Sequence, residues 1–149
     1  MNSMSRFISV SVMALACLYA GQSSAEVVIT GTRVIYPGAQ KEVSVQLTNK
    51  GQRPALVQVW VDDGEPESRP TDSKSPFLIT PPLARMEGGK GQVIRIMQMP
   101  AKMPSDKESL FWFNVLEIPP KLAAEDGQNV MQYAVKTRIK LIYRPKGLS

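Results

Sequence analysis

The sequence predicts an all-β protein, and more narrowly a seven-stranded immunoglobulin-like β-sandwich. Two observations carry this. Near the end, in "NVMQYAVKTRIKLIYRP", the odd positions from Met131 to Tyr143 read Met131, Tyr133, Val135, Thr137, Ile139, Leu141, Tyr143, while Gln132, Lys136, Arg138 and Lys140 lie between them. That is a period of two held for about a dozen residues, where an average strand runs about 5–6. Upstream, from Glu26 onward, six further extended runs are separated by turn residues, and none has helical periodicity over three turns. Seven short strands in about 100 residues is the count of an immunoglobulin-like sandwich.

The elements follow in order. "EVVITGTRVIYPG" is extended and closes on a Pro-Gly turn. "KEVSVQLTN" alternates over Val43, Val45 and Leu47 and ends at Asn-Lys-Gly. "ALVQVWVDD" sets Val57, Val59 and Val61 on one face and Leu56, Gln58 and Trp60 on the other. The stretch 62–75, rich in Pro, Gly and charge, reads as the most flexible connection. "PFLITPP" is short and bounded by proline, as expected of an edge or switching strand. "EGGKGQ" reads as a hairpin turn leading into "GQVIRIMQM", and "SLFWFNVLEIPP" precedes the final strand.

Residues 1–25 have a different character. Arg6, the apolar run "FISVSVMALACLYAG" and the small residues Ser23-Ser24-Ala25 match a secretory signal peptide cleaved after Ala25. A mature chain beginning at Glu26 loses Arg6 alone among the charged residues, so its net charge falls from +5 to about +4. It also loses Cys17, the only cysteine, so no disulfide is expected, and a chain of about 120 residues can bury a sufficient core without one. The mild positive charge is not a nucleic-acid signature.

Enzymatic chemistry finds little footing. The chain has no histidine, which removes the usual general base and zinc ligand. The acidic run Asp62, Asp63, Glu65, Glu67 lacks the ligand spacing of an EF-hand and reads as a solvated turn. The glycine-rich "EGGKGQ" precedes a strand and not a helix, so it is no phosphate loop. Phe111, Trp112 and Phe113 alternate across a strand and read as core and cover. No cofactor or metal is expected.

The order of "TRVIYPG", "ITPPLARMEGG", "QVIRI", "DKESLFWFNVLEIPP" and "NVMQYAVKTRIKLIYRP" resembles the N-terminal domain of periplasmic pilus-assembly chaperones of the chaperone–usher pathway, over about Val27 to Pro145. The resemblance implies a non-enzymatic domain, residues 26–149, that lends its last strand, about Asn129 to Tyr143, to a pilus subunit whose own fold lacks one. Backbone hydrogen bonds and alternate apolar side chains would complete the subunit, a form of strand addition for which the chaperone–pilin pair is a standard example. By position, Met131, Tyr133 and Val135 match the donor side chains. Read from the residues alone, all seven odd positions could equally face this domain's own core.

The same resemblance implies that Arg33 and Lys140 grip the carboxylate at the subunit's C-terminus, since paired cations make charge-assisted hydrogen bonds to such a group. Glu108 and Arg144 match a structural salt bridge, Arg95 a recurrent basic position, and Thr80-Pro81-Pro82 a loop with a cis proline. The implied partners are pilus or fimbrial subunits and an outer-membrane usher, with self-association expected through the last strand, and the implied location is the periplasm. Family members carry a second β domain after "YRP", where this sequence has only "KGLS". The rival readings are an exported structural β-sandwich, such as a pilus subunit or adhesin, and a calcium- or carbohydrate-binding module built on Asp62–Glu67.

Overall fold

The computed structural model describes residues 2–17, 26–120 and 133–148. A helix, α1 (Asn2–Cys17), is followed by nine strands: β1 (Val27–Ile29), β2 (Arg33–Pro37), β3 (Glu42–Asn49), β4 (Ala55–Asp62), β5 (Phe77–Thr80), β6 (Leu83–Met86), β7 (Gly91–Gln98), β8 (Ser109–Ile118) and β9 (Val135–Arg144). They form two sheets, one ordered β1-β3-β7-β5 and the other β2-β9-β8-β4-β6. Among the described residues no helix is long and apolar enough to cross a membrane.

The fold is the expected all-β sandwich, with two strands more than the alternation reveals. The first extended run divides where the chain changes sheets. Val27–Ile29 pair with β3, and Arg33–Pro37 pair with β9. Gly31 stands at the crossing with φ 106°, a conformation open to glycine and costly for other residues. The second division falls within "PFLITPPLARM". There β5 forms an edge of one sheet and β6 an edge of the other, with a cis Thr80–Pro81 peptide between them. "EGGKGQ" is also corrected. It joins β6 to β7, which belong to different sheets, so it is a crossing turn and not a hairpin. Buried Asn49 holds that turn in place, donating from its amide to the carbonyls of Arg53 and Met86, while its own carbonyl accepts from Gly89 N–H.

Alternation places the core between the sheets. Val57, Val59 and Val61 from β4 meet Ile94 and Ile96 from β7, all at most 2% exposed. Tyr36 is fully buried, and its hydroxyl donates to Lys41 O at 2.8 Å and accepts from Gln98 N–H at 3.1 Å. This satisfies a polar group that would otherwise be costly in the interior. Leu141 and Tyr143 bring the last strand into the same core.

The acidic segment departs from the expected solvated turn at one residue. Asp62 is the last residue of β4 and 1% exposed, while Asp63, Glu65 and Glu67 remain exposed. The chain after β4 folds back over the outer face of the sheet. Ser68 accepts from Trp60 Nε1–H at 3.2 Å and donates to Asp62 at 3.0 Å, and Ser73 donates to Val61 O.

Candidate strand-donor and anion site

The site is built on β9. Its pairing with β8 runs from Val135 to Tyr143, and its parallel pairing with β2 covers only Lys140 to Arg144. Along 135–139, therefore, β9 pairs on one side alone among the described residues. The sheet switch at Thr30–Thr32 creates that opening, because the segment that would continue beside β9 has been carried into the other sheet.

The side-chain row changes character at the same place. Leu141 is fully buried and Tyr143 is 9% exposed, whereas Val135 is 39% and Tyr133 68% exposed. Ile139 lies between, partly buried against the core. β9 begins at Val135, so the described residues Tyr133 and Ala134 of the expected strand precede it and are not part of it, while Met131 and the rest upstream lie outside the described residues.

Where β9 gains its second neighbour, Arg33 and Lys140 are register partners on adjacent parallel strands. Both are exposed, and among the described residues neither forms a salt bridge. The other two candidate basic residues are occupied: Arg144 donates to Glu108 at 2.7 Å and Arg95 pairs with Glu42. Arg138, not singled out from the sequence, donates to Asp62 at 2.7 Å. Two unpaired cations held side by side repel one another and favour an anion between them.

Sequence reasoning missed the arrangement beneath these cations. Arg33, Lys140, Trp112 and Asp62 form one continuous cross-strand row over β2, β9, β8 and β4. Arg138 and Lys140 both lie over the Trp112 ring, at 4.5 and 5.9 Å from its centroid. Burial pushes the Asp62 carboxyl up, but hydrogen bonds from Arg138, Asn114, the Gly64 N–H and Ser68 outweigh it and hold the pKa below the ordinary value. The strand pattern showed only that these residues are polar or aromatic on the non-core face; register made them neighbours.

Residues 26–149 match the family of pili and flagellar-assembly chaperones, in its PapD N-terminal domain. The chaperone protein FimB/FhaD of Bordetella pertussis is 49% identical over 140 residues, covering 91% of this chain and 57% of its own. Among solved structures, the periplasmic chaperone SfaE is 42% identical with a TM-score of 0.65, over 81% of this chain and 58% of that one. A complex of the Salmonella enterica SafA pilin with the SafB chaperone matches at 30% identity with a TM-score of 0.72, over 87% and 59%. The chain thus spans little more than half the length of these relatives. The family is one of chaperones for pilus and fimbrial assembly, not of enzymes. With its two-sheet sandwich and the matched residues 26–149, the chain belongs to the pili and flagellar-assembly chaperones, as their PapD N-terminal domain.

Proposed function

We propose that this domain captures pilus or fimbrial subunits in the periplasm by lending them the β9 strand, and fixes the register of that pairing with Arg33 and Lys140 on the subunit's terminal carboxylate. The observation that carries the reading is the coincidence of three features at one place: a half-open strand edge at 135–139, a row of exposed apolar side chains at Tyr133 and Val135, and two unpaired cations in register beside them. The SafA–SafB complex supports subunit binding by a relative. Met131 extends the donor row by position. Residues 1–25 serve as the export signal, with cleavage after Ala25, and an outer-membrane usher is the further partner of the pathway. The calcium reading loses one of its four carboxylates, because Asp62 is already engaged by Arg138, Asn114 and Ser68.

Lys140→Ala tests the anchor. Removing one partner of a desolvated charge pair costs about 2–5 kcal/mol of binding, so co-purification of a co-expressed fimbrial subunit should drop at least about tenfold. The thermal melt of the variant should stay at the wild-type temperature, since the side chain is exposed. Undiminished capture, or a collapsed melt, would remove Lys140 from the anchor.

A further inference from the structure

We infer that Trp112 is a positioning residue for the anchor: its indole, on the side of Lys140 away from Arg33, holds the Lys140 ammonium in one place, and the ring is itself held by Arg138 braced on buried Asp62. The inference rests on the carboxylate-anchor reading of Arg33 and Lys140 and adds to it the device that fixes where the lysine end of the anchor stands.

Lysine is a compact charge on a flexible four-carbon stem, so nothing in its own chemistry holds it in one place. Beside the guanidinium of a register partner, repulsion pushes it toward β8. In a site made of these two residues alone the ammonium would have no fixed place when empty, and a ligand would have to order it. Trp112 supplies that place, because its attraction acts in the same direction as the repulsion from Arg33 and leaves the gap between the two cations open to an anion. It is the register partner of Lys140 on β8, and the ammonium lies 5.9 Å from its ring centroid, within the range where an aromatic face attracts a cation. Among aromatic residues tryptophan does this best.

The ring needs its own support, and the row beneath provides it. Arg138, two residues from Lys140 and so on the same face of β9, stands 4.5 Å from the same centroid. Its guanidinium donates to Asp62 at 2.7 Å, and Asp62 is held by Asn114 at 2.6 Å and by Ser68 at 3.0 Å. The chain of contacts therefore runs from a buried, fixed carboxylate to an exposed ammonium. Its far end is rigid and its near end faces the place where a carboxylate would bind.

Two synthetic peptides test this, a 15-residue alternating valine–threonine strand ending in a free carboxylate and the same strand ending in an amide. Backbone pairing is common to both, so the ratio of their affinities isolates the anchor. Wild type should prefer the free acid. Trp112→Leu should reduce that preference about two- to fivefold, the worth of an exposed cation–aromatic contact, while binding of the amide stays unchanged. Trp112→Phe should restore most of the preference. A Trp112→Leu chain that weakens both peptides equally, or keeps the full preference, would overturn the inference and leave the anchor standing. Equal binding of both peptides by wild type would remove the anchor reading and this inference together. A measurement on the unaltered chain guards against a misfolded variant. The Lys140 side-chain methylene protons should resonate upfield of those of Lys146, shifted by the indole ring current, and a Lys140 resonance at the ordinary position would also overturn the inference.

Discussion

Two halves of one strand, identical in pattern, have opposite surroundings. At Leu141 and Tyr143, β9 has β2 on one side, β8 on the other and the opposing sheet above it, and its odd side chains are buried. At Val135 it has β8 alone, and the same row is exposed. Alternation in sequence states which face of a strand is apolar. It does not state who covers that face. In the first half the cover is this domain; in the second it is available to a partner. The proposed function lives in that difference, and each expectation below is a way to break or sharpen it.

The largest effect should come from the covered half. Leu141→Ala removes a fully buried side chain and should destabilise the domain by about 2–5 kcal/mol in denaturant melts. Val135→Ala should change stability by no more than about 0.5 kcal/mol, as at ordinary surface positions. Equal losses at the two sites would mean that Val135 belongs to the domain's own core, and the comparison would fail.

An intermediate effect should appear where the halves meet, through pH. The Asp62 pKa is lowered in the folded protein by its hydrogen bonds. A carboxyl whose folded pKa lies below its unfolded value adds stability above the unfolded value, and that stability is lost as pH falls through the folded one. Wild type should therefore lose stability on acidification below about pH 4, where unfolded aspartates titrate. Asp62→Asn should flatten that part of the profile, because it removes the titrating group. Parallel acid profiles for the two proteins would mean that the Arg138–Asp62 contact does not bind β9 to its sheet.

Much of this was legible without coordinates. Valine at every second position of β4 marked a buried face, and Val57, Val59 and Val61 occupy it. The two added strands were not legible, because a strand that changes sheets keeps its local alternation while its partners change. Asp62 was misread for a related reason. An acidic residue beside Asp63 and Gly64 looks solvated, and only the returning segment with Ser68, together with Arg138 from a distant strand, supplies the partners that let it be buried. The row from Arg33 through Lys140 and Trp112 to Asp62 draws on residues up to 107 positions apart in the sequence, and only sheet order and register bring them together. The family resemblance pointed to its first two members, Arg33 and Lys140, and the aromatic link carries no local signal at all.

The smallest effect on folding should be the most telling for function. An apolar row on a half-open strand edge is an aggregation hazard, since unpaired N–H and C=O groups along it can accept a strand from another copy. The mature chain should therefore self-associate in sedimentation experiments, through β9. Tyr133, 68% exposed, is the place to interfere. Tyr133→Lys sets a charge on the exposed row, which opposes pairing with a second apolar strand, so the variant should sediment as a smaller species. Its denaturant midpoint should move little, because a charge that stays in water has no burial cost; changes at such surface sites stay within about 0.5 kcal/mol. A covered Tyr133 would behave in the opposite way, since burying an unpaired ammonium is far more costly than burying a phenol. An unfolded Tyr133→Lys would make the exposed half of β9 an extension of the core and end its role as a donor. A monomeric wild type with a soluble, stable variant would sink self-association alone, leaving the edge open for a subunit.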